Sequence, residues 1–473
     1  MDTRSLPFAS LLLCVAACGT IGDDYVQPKL EANAMAAWDG RLEGVISDGE
    51  LDPILLAEWW TSFEDATLDS IMDRAIQANL NLRTARAQLR AARAQRLVAD
   101  GANGPTANVS GSGTRSGNEA ATGELYSVGL DASWEIDLFG GKQRGNEAAD
   151  ADLQAAEEAR RDVLVSVLAE VALNYSDLRT LQERKSLTEQ SLTAFVEQQE
   201  IVQAKFDAGE TSRLDLDQAD SNVAKVRASL PSFQQQISQI QNRLALLCGL
   251  APGSLNDQLD QWLPLKLPNV AVAIGVPAEV LRRRPDVRRA ERLLAAETAR
   301  VGVAKADLYP SLSLGGSIGL QSNASSSLFD TISQLWSFGP RVSWNLYDGG
   351  QARQRIEVQD AVQEQALIAY EEVILKSLEE VQNAATSYGL EQIRFASLEQ
   401  ASISAGRASD LAQTRYLAGD SEFLNVLDAQ RTAISSADER AQSRGKIIGD
   451  LIRLYKSLGG GWESVAPLSE DAE

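Results

Sequence analysis

Two periodicities divide this chain. Around residues 310–348, Leu312, Leu314, Gly316, Ile318 and Leu320 alternate with Ser311, Ser313, Gly315, Ser317, Gly319 and Gln321. A partner run sets Phe338, Pro340, Val342, Trp344 and Leu346 against Ser337, Gly339, Arg341, Ser343 and Asn345. Residues 105–138 repeat the theme, with Val128, Leu130, Ala132, Trp134 and Ile136 against Ser127, Gly129, Asp131, Ser133, Glu135 and Asp137. Alternation over about ten residues with one polar face predicts strands that meet lipid on one side and water on the other. A soluble sandwich with one solvated face has the same pattern. Four such strands cannot close a barrel, because about eight already leave an interior just wide enough for side chains. The chain must then pool strands with copies of itself, and three copies of four strands make twelve.

Elsewhere the period is helical. Residues 146–207 form a run of about 60 residues, roughly 90 Å of helix at 1.5 Å per residue. Within it Leu164, Val167, Val171, Asn174, Leu178 and Leu181 step by three and four, and Val165, Leu168, Ala172 and Tyr175 make a second stripe beside them. Over 352–416, Leu367, Tyr370, Ile374, Ser377, Val381, Ala384 and Tyr388 do likewise. Two adjacent seams let a helix pack against neighbours on both sides, so helices can close into a tube. A single broad stripe inside a plain bundle is the competing account. Shorter helical runs at 67–100 and 212–248 are long enough together to stack end to end beside one long helix.

The order of elements occurs twice. Asn81 and Pro105 align with Asp286 and Pro310 at an offset of 205, and Trp134, Gly209, Leu214, Arg243 and Gly249 align with Trp344, Gly419, Leu424, Arg453 and Gly459 at 210. The division is therefore a leader at 1–17, an N-terminal segment at 18–66, a first repeat at 67–249, a linker at 250–283, a second repeat at 284–459 and a tail at 460–473. The second repeat has helix 284–307, strands 310–348, long helix 352–416 and helix 422–457. Pro252, Pro264, Pro268 and Pro277 mark the linker.

Composition narrows the chemistry. The 473 residues carry 44 Lys+Arg against 66 Asp+Glu, a net charge of −22, and no histidine. Nucleic acid is excluded as an expected partner, since so negative a surface repels phosphate. Without histidine no Ser/His/Asp or Cys/His constellation can form, and Gly315-Gly316-Ser317-Ile318-Gly319, which fits G-x-S-x-G, lies within an alternating strand and has no base. Of the three cysteines, Cys14 and Cys18 fall in a leader-like apolar run and Cys248 reads as a small packed side chain. Val15-Ala16-Ala17-Cys18-Gly19 resembles a bacterial lipobox, with Cys18 receiving a diacylglycerol; an ordinary signal peptide is the alternative. Gly19 in place of Asp favours sorting to the outer membrane by that resemblance. The leader's apolar run is too short to span a bilayer, and no run beyond it is long enough to do so as a helix.

Further motifs bear on identity: Asp24-Tyr25 with Pro28; Trp59-Trp60-Thr61-Ser62-Phe63 with Leu68; Arg283-Arg284-Pro285-Asp286-Val287-Arg288-Arg289-Ala290-Glu291; Ala306-Asp307-Leu308-Tyr309-Pro310-Ser311-Leu312; and Tyr416-Leu417-Ala418-Gly419 before Leu424-Asn425-Val426-Leu427-Asp428-Ala429-Gln430-Arg431. Together they resemble the TolC-like outer-membrane efflux proteins, specifically the lipidated ducts of tripartite pumps with RND-type transporters, over nearly all of the mature chain.

The resemblance implies an internally duplicated α+β membrane protein. It would be a homotrimer with a twelve-stranded outer-membrane β-barrel continuous with a twelve-helix periplasmic α-barrel. It implies a passive exit duct, not an enzyme, with no cofactor beyond the lipid on Cys18. The implied partners are outer-membrane lipid, a periplasmic membrane-fusion adaptor and an inner-membrane RND-type transporter. Leu424, Asp428 and Arg431 match the family's periplasmic constriction, with Asn425 where some relatives carry a second aspartate. Tyr416 and Asp215 match a pair that ties inner to outer coils, although Tyr416 reads equally as a seam aromatic and Asp428 as a solvated carboxylate. Ser421 stands where some relatives have an arginine. Heavy-metal efflux and type I protein secretion use ducts of the same fold. A lipid-anchored periplasmic coiled-coil scaffold would account for the helices but not for the strands.

Overall fold

The computed structural model describes residues 19–28, 56–118, 122–268 and 282–463. Cys18, and with it the expected lipidation site, lies outside them. The elements are α1 (Ala66–Ala78), α2 (Leu80–Gly101), β1 (Thr106–Gly117), β2 (Thr122–Ile136), α3 (Gly141–Asp207), α4 (Arg213–Leu247), α5 (Pro285–Ala306), β3 (Ser311–Ser322), β4 (Gln334–Ser343), α6 (Gln351–Leu417) and α7 (Phe423–Ser457). Contacts divide the chain into two compact units, and each takes residues from both repeats.

The first unit holds the strands, with described residues 19–28, 87–118, 122–158 and 288–373. Its four strands form one antiparallel sheet in the order β1-β2-β3-β4. Register aligns the apolar positions: Val109, Leu130, Ile318 and Trp336 stand side by side, as do the polar Asn108, Asp131, Ser317 and Ser337. On the polar face the Ser317 and Ser337 hydroxyls lie 2.7 Å apart. The apolar row is largely uncovered, Trp336 retaining 80% exposure. Leu335, opposite Gly319, is an exception on the polar face.

β4 ends at Ser343, earlier than the alternation suggests, so Trp344 and Leu346 lie beyond it. Ser343 pairs with Ser311, the first residue of β3, and the next position opposite would be Pro310, which has no N–H for the ladder. Beyond the strand the Trp344 indole donates to Leu308 O at 3.0 Å past the end of α5. Its duplicate Trp134 donates to Asn103 O at 2.7 Å past the end of α2. The long helices also start earlier than expected, at Gly141 and Gln351, because Asp137 accepts from Gln143 N and Asp348 accepts from Gly350 N and Ala352 N. Both carboxylates satisfy first-turn donors that would otherwise be orphaned.

Residues 19–28 are held as a strap on this unit. Arg144, only 3% exposed, donates to Ile21 O, Gly22 O and Asp24 and also pairs with Glu147. Ile21 N reaches Phe139 O at 3.1 Å, and Gly302 lets the strap lie flat: a Cβ there would meet Arg144 Cγ at 2.8 Å and Ile21 O at 3.1 Å. Overpacking of this kind costs about 1–3 kcal/mol. Gly302→Ala is therefore expected to raise the rate of chymotryptic cleavage at Tyr25 roughly tenfold; an unchanged rate would show that the strap is held elsewhere.

The second unit is helical in its described residues, 56–86, 159–268, 282–287 and 374–463. Helix 67–100 is not one helix. Asn79 breaks it, and its position explains why: Nδ2 donates to Leu247 O at 2.8 Å at the end of α4, while Oδ1 accepts from Asn81 N and Leu82 N. One buried side chain ends α1, caps α2 and joins both to α4. Both stripes of α3 are buried apart from the half-buried Asn174: Leu164, Val167, Val171, Leu178 and Leu181 in one, Val165, Leu168, Ala172 and Tyr175 in the other.

The main core of this unit gathers Trp59, Trp60, Phe63, Leu68, Ile71 and Met72 around α3, α4 and α7. Trp59 stacks on Tyr455 at 5.4 Å between centroids and meets Trp60 and Phe63 edge-on. Cys248 is buried there, its thiol facing Ile71 O. A separate, smaller cluster lies near the chain turns: Phe195, Val202, Leu216, Ala219, Val223, Tyr416, Phe423, Val426 and Leu427. Among the described residues no helix is long and apolar enough to cross a membrane.

Candidate functional site

The candidate site surrounds the two turns that end the long helices. At each turn a glycine adopts positive φ, Gly209 at 76° and Gly419 at 81°. Gly209 N bonds Phe206 O and Glu210 N bonds Lys205 O, while Gly419 N bonds Tyr416 O and Asp420 N bonds Arg415 O. This double closure of the last carbonyls needs the left-handed conformation that glycine adopts without steric penalty. The turns differ at the next helix start. Ser212 and Asp215 form a reciprocal cap on α4, whereas Glu422 caps α7 with no side-chain bond.

α7 carries the constriction residues of the sequence reading. Phe423, Val426, Leu427 and Gln430 face inward and are buried. The neighbouring face is exposed and holds Leu424, Asn425 and Asp428. Leu424 retains 50% of its surface. Asn425 Nδ2 donates to Ser421 Oγ at 3.2 Å, so Ser421 makes a short local bond where an arginine would reach further. The Asp428 carboxylate makes no ion pair among the described residues, while its carbonyl accepts from Thr432 Oγ1 at 2.8 Å. Arg431 is drawn the other way: Nη2 donates to Asn222 Oδ1 at 3.0 Å on α4. The structure thus brings Leu424, Asn425 and Asp428 to one uncovered surface and gives Arg431 to the contact between repeats.

Tyr416 and Asp215 are neighbours without a direct bond. Asp215 Oδ2 is occupied by Thr211 Oγ1 at 2.7 Å, Ser212 Oγ at 2.7 Å and Ser212 N at 3.1 Å. Burial works to raise this carboxyl, but the Thr211 and Ser212 donors outweigh it and hold it below the usual carboxylate range. The Tyr416 hydroxyl is buried with no well-formed hydrogen bond, beside Thr211. Burial first, and the Asp215 charge second, push it above the ordinary tyrosine range.

The firmer tie at this turn is one the sequence reading lacked. Lys205 Nζ stands 4.2 Å from the Tyr416 ring centre and 3.5 Å from its carbonyl oxygen. Higher up, Arg184 grips Asp438 with two bonds, at 2.6 and 3.1 Å. Lys205 had a legible signal, a cation in the last helical turn where it complements the helix dipole. Asn222 had a weaker one, a polar residue beside the apolar positions Ala219 and Val223.

The family model described as "Outer membrane efflux protein" matches residues 71–250 and 276–460, one match for each repeat. The chain belongs to the outer membrane efflux protein family. It is 32% identical to the toluene efflux pump outer membrane protein TtgI of Pseudomonas putida, covering 98% of this chain and 99% of that one. It is 28% identical to the cation efflux system protein CusC of Escherichia coli, over 97% and 99%. The solved outer-membrane channel OprN superposes with a TM-score of 0.85 at 35% identity, over 94% of this chain and all of that one. This outer membrane efflux protein is accordingly an outer-membrane channel of an efflux pump, with the TolC-like fold. Its strands rather than its helices are the elements suited to the membrane.

Proposed function

We propose that the chain is one third of a passive exit duct, in which three copies pool their four strands into a twelve-stranded barrel and close at the periplasmic end through Leu424 and Asp428. The single observation that carries this reading is the sheet. One face is an exposed apolar band, and β1 and β4 are edges with no further strand beside them among the described residues. Such edges are a template for another chain, and a membrane sheet must close on itself. Apolar side chains left exposed along α6, among them Ile368, Leu375, Leu390 and Leu411, support flanking copies on the helical side as well.

Threefold symmetry brings three Asp428 carboxylates around one axis at the narrow end, a ring that favours cations over anions. Asn425 in place of a second acid leaves a single ring. Energy comes from a periplasmic adaptor and an inner-membrane transporter, and these partners select the cargo. Relatives named for toluene and for cations match this chain about equally well, which fits a duct whose specificity lies in the transporter.

The lipid on Cys18 belongs to the same proposal. The strap described above carries the chain to Phe139 and Gly140, next to the end of β2, where an acyl chain would meet the membrane strands. Purified in detergent, the protein is expected to have three times the chain mass, a lipidated N-terminal Cys18 by mass spectrometry, and a cation-preferring conductance in planar bilayers. A monomer without conductance would overturn the duct and leave the periplasmic scaffold in its place.

A further inference from the structure

We propose that three buried amides, Gln198 on α3, Asn222 on α4 and Gln430 on α7, form a loosening layer in the helical bundle that keeps the packed and parted arrangements of the tip close in free energy. The inference rests on the gate reading given above.

All three are more than nine-tenths buried, at 2%, 5% and 8% exposure. Each belongs to the face that builds the small apolar cluster. Gln198 lies between Phe195 and Val202, Asn222 follows Ala219, and Gln430 follows Val426 and Leu427 by one helical turn. Their depth is shared: Arg431 Nη2 bonds Asn222 Oδ1 at 3.0 Å, and next to Gln198 the Gln199 amide bonds Asp220 at 2.5 Å. Yet both polar atoms of the Gln198 amide, Asn222 Nδ2 and Gln430 Oε1 make no hydrogen bond to the protein.

A buried amide without partners is penalised in the packed state and gains when the helices part and water enters. Four such atoms at one level therefore favour parting, against the apolar cluster that favours packing. Duplication does not account for the layer. The counterparts at the 210 offset, Ala408, Thr432 and Asp220, are all exposed.

The test uses near-isosteric apolar replacement in the full-length, membrane-derived protein. The double variant Gln198→Met/Gln430→Met removes two amides while keeping side-chain length. Hydrogen exchange over 195–202 and 423–434 is expected to slow about tenfold, with a fall in open-channel events in bilayers. Gln198→Glu, which puts a charge in the same place, should do the reverse and serves if the double variant does not assemble. Unchanged or faster exchange in the Met variant, or slowed exchange with no fall in opening, overturns the proposal. Leu424→Ala/Asp428→Ala run in parallel separates the two ideas: if its conductance is unchanged the gate lies elsewhere, whatever the exchange shows.

Discussion

Leu424→Ala combined with Asp428→Ala is expected to raise the resting conductance of the reconstituted channel about tenfold, equivalent to about 1.4 kcal/mol taken from the closed state. Both side chains lie on the uncovered face of α7, and neither supports the core. The buried face of the same turn, Phe423, Val426 and Leu427, is untouched by the substitutions, so the helix should remain in place. Around a threefold axis the double change removes three apolar plugs and three carboxylates at one level. Two readouts follow. Conductance rises because the aperture widens, and preference for cations falls because the charge is gone. Ser435→Ala is the control, two turns further along the helix, with its hydroxyl spent on Glu439. A double variant with wild-type conductance and selectivity would place the constriction elsewhere in the chain.

The second large effect lies far from the gate. Trp59→Ala is expected to cost about 3–5 kcal/mol of stability, the usual range for a large aromatic lost from a core. Trp59 is 1% exposed, lies flat on Tyr455 at an interplanar angle of 15°, and takes edge contacts from Trp60 and Phe63. Gly461 permits this packing, since a Cβ there would approach Trp59 Nε1 at 3.4 Å and Leu168 Cδ1 at 2.9 Å. The residues around it come from the N-terminal segment, α3 and α7, so relaxation of any one of them leaves the hole unfilled. The melting temperature read from helical circular dichroism should fall by several degrees, and conductance of protein that does assemble should be normal. A melting temperature within about a degree of wild type would mean that the aromatic cluster is not a keystone of the core.

Much of this architecture was legible because periodicity is a local property. Val128 to Ile136 and Leu312 to Leu320 alternate whatever lies beside them, and register then aligned them as one apolar face. The apolar positions of the stripes Leu164 to Leu181 and Val165 to Tyr175 are all buried as their spacing required, Asn174 alone being half-buried. Illegible features depend on a partner distant in the chain. Asn79 looks like an ordinary helical residue until Leu247 O stands 2.8 Å from its amide. Trp344 continues an alternating pattern, but the position opposite it is Pro310, before β3 begins, and the strand stops.

At the candidate site the division is the same. Gly209 and Gly419 announce the turns, and the 3.6-residue period puts Leu424 and Asp428 on one face of α7. The period does not say which helix that face meets. Arg431 shares the heptad with Asp428 but turns to Asn222, and Lys205, absent from the sequence reading, holds Tyr416.

By itself, then, the sequence determined the strands, the long helices, the duplication and the family, because each follows from spacing along one segment or from matched motifs. Tertiary structure alone decided where helices break, which exposed residues remain uncovered, and which polar side chains are buried without partners. Those outcomes depend on the rotation of each helix about its axis relative to its neighbours, a quantity that no single segment encodes.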